Sequence, residues 1–271
     1  MSIQGHFIAS TKGRIFVSQF GNSKRDVAVL CLPSIVEELN LSRAVLAKQC
    51  QAFAQHGLDS FILDYFGTGD SEGEFEESSF NSWFGDVVSV GEWLQSLGYQ
   101  KLIVLGVRVG ALLLGVNQQK LHAQLPILGQ IFWKPITSGK VFASQLIRIK
   151  QANQMMSNHS EKVNWRNEIL AGNDTEIAGY VITKNFIEEI EAAVISAAIE
   201  WQSPVNWLEL ATQKITPATR KFVEASDVIT VHTVHTPAFW QVPEVFDLPE
   251  LSALGVTITH KLLVEYKWIG E

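Results

Sequence analysis

Residues 101–121, KLIVLGVRVGALLLGVNQQKL, decide the fold. Lys101 to Leu105 reads as an apolar strand and Gly110 to Leu121 as a helix, with Gly106-Val107-Arg108-Val109-Gly110 turning one into the other. Two glycines, each two positions from a central residue at a strand-to-helix junction, have the spacing of a nucleophile elbow, the strained turn that lifts a serine hydroxyl above the end of a sheet. The lifted residue here is Arg108. A guanidinium stays protonated and accepts no proton, so it serves neither as base nor as nucleophile.

Outward from the elbow, strands and helices alternate. Val27 to Leu32 is a continuous apolar run, as in a strand buried on both faces, and Pro33 ends it. Leu41 to His56 reads as an amphipathic helix stopped by Gly57, Ser60 to Leu63 as a second buried strand, and Phe80 to Leu97 as a helix stopped by Gly98. Before these, GHFIAS and GRIFVSQF predict an antiparallel hairpin through Thr11-Lys12-Gly13. Pro126 to Trp133 adds another strand. Repeated strand–helix–strand units of this length predict an α/β fold with a mainly parallel sheet and helices on both faces.

From Ser138 to about Ala198 the chain becomes polar and helical, as VFASQLIRIKQANQMM and FIEEIEAAVISAAI, with Asn158 to Asn173 as a loop-like middle. Strand patterning then returns in VNWLELA, followed by a helix from Pro217 to Ala225 and a strand in VITVHTVHT. This predicts a core in two parts, residues 1–137 and 204–271, interrupted by a helical cap over 138–203.

Composition narrows the function classes. The 271 residues carry 21 Lys+Arg against 28 Asp+Glu, a net charge of -7, with no basic run to attract nucleic acid or anionic membrane. The apolar stretch Leu102 to Val116 is shorter than the ~20 residues that span a bilayer, and Arg108 sits near its middle. The amino terminus lacks a signal-peptide pattern, so a cytoplasmic protein is expected. Cys31 and Cys50 lie in apolar contexts and read as core thiols; no Cys/His cluster has metal-ligand spacing, and the acidic run 72–77 lacks that of a calcium loop. No metal or cofactor is expected, and a homo-oligomer is compatible with the composition. Trp83, Trp93, Trp201 and Trp207 read as core.

Asp64-Tyr65-Phe66-Gly67-Thr68-Gly69-Asp70-Ser71-Glu72-Gly73 follows a buried strand and resembles the D-x-x-G-x-G-x-S-x-G loop of α/β-hydrolases. Leu32-Pro33-Ser34-Ile35-Val36-Glu37-Glu38-Leu39-Asn40-Leu41-Ser42-Arg43 is similar to the P-P-F-x-E-E-x-N-x-S-R segment of the exosortase A system-associated hydrolases of the second type, with Leu32 and Ser34 departing from it. The arginine elbow and Trp133-Lys134-Pro135-Ile136-Thr137-Ser138-Gly139-Lys140 are similar to that family too. Further echoes are Gln145, Arg148, Ala178-Gly179-Tyr180 and Pro237-Ala238-Phe239-Trp240. The resemblance implies an α/β-hydrolase fold with a cap, in a setting of exopolysaccharide synthesis and protein sorting, and a small-molecule or glycan- or acyl-linked ligand.

Several residues are candidates for chemistry. Ser34, at the end of its strand, and Ser71, in the glycine-rich loop, are the alternative nucleophiles, although a turn hydroxyl is the plainer reading of both. His235 leaves the last core strand where the base belongs, beside His232, and Glu209 stands where the acid belongs or else faces solvent; His260 is expected at the surface. Arg108 either pairs with Glu37 or Glu38, or offers its fork to an anion at a helix amino terminus, where Val109 begins the turn. Glu37, Glu38, Asn40 and Arg43 would line the same rim, joined by Trp133 and Lys140 from the start of the cap. Three functions fit: an ester or acyl hydrolase with a non-standard nucleophile, a non-catalytic protein binding an anionic ligand at Arg108, or a scaffold for polysaccharide or sorting machinery.

Overall fold

Among the described residues, eight strands form one central sheet. A computed structural model describes residues 2–23, 25–156, 163–212 and 214–269. The amino-terminal hairpin is β1 (Ile3–Ala9) and β2 (Arg14–Phe20), antiparallel as its alternating pattern predicts. Then come β3 (Val27–Leu32), α1 (Glu37–Gln55), β4 (Ser60–Leu63), α2 (Phe80–Ser96) and β5 (Lys101–Val107). Helices α3 (Val109–Val116) and α4 (Gln118–Gln124) lead to β6 (Ile127–Trp133). Between β6 and β9 lie α5 (Gly139–Met156), α6 (Trp165–Leu170), a small hairpin of β7 (Thr175–Ile177) and β8 (Tyr180–Ile182), and α7 (Lys184–Ala192). The chain closes with β9 (Val205–Leu210), α8 (Pro217–Glu224), β10 (Ile229–Val234) and α9 (Pro249–Ile269). In the sheet the strands stand in the order β1-β2-β4-β3-β5-β6-β9-β10; from β4 to β10 neighbours pair parallel, and the β1–β2 and β2–β4 pairs are antiparallel.

Period-two side-chain alternation divides the core between the two faces of the sheet. Ala28, Leu30 and Leu32 of β3 point into a cluster with α2 and α3, while Val27, Val29 and Cys31 point into one with α1 and α9. All six are buried, which is why the sequence reads as an unbroken apolar run. Cys31 and Cys50 are both buried free thiols, 3.7 Å apart at sulfur, and burial beside Cys50 pushes the Cys31 thiol up. Trp83 and Trp207 are fully buried, and Trp93 and Trp201 pack half-buried on the same cluster.

Four expectations need correction. Helix α1 begins at Glu37 rather than Leu41, because Glu37 and Glu38 occupy a first turn that favours acidic side chains. The single helix expected over 110–121 breaks at Asn117, whose φ of -110° and ψ of 21° leave the helical region and whose amide side chain bonds back to the Leu113 carbonyl. In the segment between β6 and β9, the loop-like stretch contains α6, the β7–β8 hairpin went unread, and the second helix stops at Ala192. Residues 157–162 of that stretch lie outside the described residues. Finally, α9 is a long helix that the sequence pattern did not reveal; His260 sits on it, exposed as expected.

Candidate functional site

Among the described residues, five non-glycine residues have positive φ, and four of them (Val36, Arg108, Lys134 and Ala211) stand just beyond the carboxyl ends of the parallel strands β3, β5, β6 and β9. Such conformations cost energy in non-glycine residues and cluster at sites the surrounding structure must hold. Arg108 itself has φ 52° and ψ -107°, the strained bend of the elbow. Its flanking glycines are obligatory: a Cβ at Gly106 would lie 2.6 Å from the Ala111 backbone nitrogen, and one at Gly110 would lie 2.3 Å from the Leu32 carbonyl oxygen.

The bend turns the Arg108 guanidinium inward onto Glu38. Nη2 donates to Glu38 Oε1 at 2.8 Å, and Nε donates to both carboxylate oxygens at 3.2 Å. Longer bonds reach the Lys134 carbonyl and Gln145 Oε1, both at 3.4 Å, and the cation lies 5.0 Å from the centre of the Trp240 ring. Ser34 Oγ donates to Glu38 Oε2 at 2.7 Å, and Ser34 is fully buried. The Arg108 and Glu38 side chains are 6% and 13% exposed, so the pair is shielded from water. Of the partners expected for Arg108, Glu38 is the one observed; Glu37 is exposed.

A second buried pair lies beside the first. Lys134 Nζ meets Glu209 Oε2 at 2.5 Å, and Glu209 also accepts from Trp207 Nε1 at 3.1 Å and from Thr219 Oγ1. Glu209 is therefore buried with its oxygens engaged, not facing solvent. Lys134 was missed as a functional candidate; its only local signal is its place between Trp133 and Pro135 at the strand end.

The rim residues separate into three groups. Arg43 grips the fully buried Asp64 with both terminal nitrogens, at 2.5 and 3.1 Å, and Asp70 N–H also donates to Asp64. Burial acts to lower the Arg43 pKa, and the Asp64 hydrogen bonds overcome it and hold the guanidinium above its usual value. Arg43 thus ties α1 to the glycine-rich loop, because a buried carboxylate needs a cation. Asn40 is exposed and donates to Tyr180 Oη at 3.3 Å, joining α1 to β8. Val109 is buried as the first residue of α3, Trp133 is buried with its ring 6.3 Å from Phe239, and Lys140 is exposed in the first turn of α5. Above the Arg108–Glu38 pair, α1, α5 and the turn at Trp240 enclose a hollow of about 360 Å³ lined by Glu38, Leu41, Phe142, Gln145, Arg148 and Trp240, among others.

No family model matches the sequence, and no curated protein matches it. Solved structures do. Est1E from Butyrivibrio proteoclasticus, in a complex with ferulic acid, aligns with a TM-score of 0.65 over 96% of this chain and 99% of its own, at 13% identity. Proline iminopeptidase from Mycobacterium smegmatis gives 0.62 over 97% and 100%, at 12% identity. Mouse alpha/beta hydrolase domain-containing protein 10 gives 0.61 over 96% and 99%, at 16% identity. The chain has the α/β-hydrolase fold.

In this α/β-hydrolase fold the expected catalytic residues are not brought together. His235 is exposed and makes no hydrogen bond among the described residues, so Glu209 does not orient it. His232 bonds Asn206 Oδ1 at 3.1 Å, and burial, helped by nearby Lys261, lowers its pKa. Ser71 is a turn hydroxyl, donating to the Asp64 carbonyl at 2.7 Å and accepting from Phe16 N–H at 2.8 Å. No group of His, Cys, Asp or Glu among the described residues could hold a metal ion, and no described helix is long and apolar enough to cross a membrane.

Proposed function

We propose that this α/β-hydrolase-fold protein binds a small molecule in the hollow between its core and a cap over 138–203, and does not hydrolyse it. The observation that carries this reading is the elbow: Arg108 holds the nucleophile's strained position and is locked onto Glu38. Ser34, the remaining hydroxyl at that rim, is fully buried and hydrogen-bonded to a carboxylate that Arg108 neutralises, which leaves it weakly activated and out of reach. The neutral Arg108–Glu38 pair also argues against an anion seated on Arg108, since an incoming anion would have to displace Glu38 from a shielded contact. The sequence likeness to exosortase-associated proteins suggests an acyl- or glycan-linked ligand from exopolysaccharide synthesis.

A fluorophosphonate probe and short-chain p-nitrophenyl esters test the proposal. The expected outcome is no covalent labelling and no turnover above the free-ester rate. Labelling or turnover that disappears in Ser34→Ala would overturn it and make Ser34 the nucleophile, with Glu38 Oε2 as its base.

A further inference from the structure

The hollow between α1, α5 and the Trp240 turn is lined by a cation that the protein leaves unpaired. Arg148 lines it from α5 and is exposed, with no hydrogen bond or ion pair among the described residues. Trp240 lines it too, its ring packed against the Arg108 guanidinium. The rest of the lining combines the apolar side chains of Leu41, Phe142, Leu146 and Ile149 with the amides of Gln145 and Gln241 and the two glutamates Glu37 and Glu38.

The negative charges around the hollow are accounted for differently. Glu38 is engaged by Arg108 and Ser34. Glu37 stands exposed at the rim in the first turn of α1, where the helix amino terminus stabilises it. That leaves Arg148 as the cation free to take a ligand charge, and a guanidinium fork matches a carboxylate in shape and donor spacing.

We infer that the ligand of this hollow is an amphipathic monocarboxylate, its apolar body against Leu41, Phe142, Leu146 and Ile149 and its carboxylate held by Arg148. The inference rests on the binding function proposed above and adds the ligand's chemistry to it. It moves the anion contact from Arg108, whose charge is consumed inside the protein, to Arg148. A hollow of about 360 Å³ suits a short or medium-length body of this kind.

Calorimetric titration with octanoate, octanol and octylamine at fixed ionic strength provides the test. Octanoate should bind at least tenfold more tightly than octanol, with octylamine weakest. Arg148→Gln, at an exposed position that leaves folding intact, should bring octanoate down to the level of octanol without changing octanol itself. Ile149→Trp, which fills the apolar end, should weaken octanoate and octanol together. Equal affinity for octanoate and octanol, or an Arg148→Gln variant that still prefers octanoate, overturns the carboxylate assignment while the binding function stands. Preference for octylamine overturns it as well and transfers the charge contact to Glu37. If none of the three binds, the assignment and the binding function fall together.

Discussion

Arg108 Nη2 lies 2.8 Å from Glu38 Oε1, and the two residues follow neighbouring strands: Arg108 comes directly after β5, and Glu38 sits in the first turn of the helix after β3. The contact ties the elbow to the adjacent strand–helix turn. Because both side chains are shielded, each depends on the other for compensation of its charge.

Arg108→Ser should therefore destabilise the protein by about 3–5 kcal/mol, the cost of leaving one partner of a buried pair alone. Urea unfolding of the single variant and of Arg108→Met combined with Glu38→Leu checks this. The double variant should recover much of the loss, since it strands neither charge. A single variant as stable as the parent would mean that water already screens the pair.

Lys134→Met should cost about 3 kcal/mol by the same reasoning, because Glu209 is 3% exposed at its side chain and would keep only Trp207 and Thr219 as donors. Glu209→Gln in the Lys134→Met background should restore stability. Thermal melts of the three variants give the comparison.

Gly110→Ala should be more harmful than Gly98→Ala. The first places a methyl group 2.3 Å from the Leu32 carbonyl oxygen, on a backbone that cannot rotate away. The second meets open space and carries only the strain of φ +101°, about 1–2 kcal/mol. Soluble yield and unfolding midpoints rank the two; a neutral Gly110→Ala would show that the elbow can separate from β3.

Asp86 governs one pH response. Burial raises its pKa despite hydrogen bonds from Ser10 Oγ and Phe66 N–H and the charge of Lys12. Its folded-state value lies above the unfolded one, so the folded protein holds that proton more tightly. Its contribution to stability is full below the ordinary aspartate pKa of ~3.9 and is lost as pH rises through the raised value. Asp86→Asn preserves both hydrogen bonds, with Oδ1 accepting from Phe66 and Nδ2 donating to Ser10. The stability of the parent minus that of the variant, from urea midpoints across acid to neutral pH, should fall as pH rises. A difference that grows with pH contradicts the burial effect.

The amino-acid sequence by itself determined the α/β architecture and the location of the elbow. Both show as local patterns: Val27 to Leu32 is apolar at every position because its strand is buried on two faces, and the Gly106–Gly110 spacing marks the elbow, although Gly106 is required by contact with Ala111 inside the turn and Gly110 by its approach to Leu32 of β3. The Asp64 to Gly73 loop was legible for a similar reason, since its glycines serve turns only a few residues long. The β7–β8 hairpin was not, because three-residue strands are too short to display a period. The state of the site was decided by tertiary structure alone. Whether Arg108 meets Glu37 or Glu38 depends on where α1 begins and which side of its first turn faces β5. Arg43 and Asp64 are 21 positions apart, Lys134 and Glu209 are 75 apart, and Arg108 meets Trp240 across nearly half of the chain. Buried charges are paired by proximity in the folded chain, and no local pattern in the sequence records which partner the packing supplies.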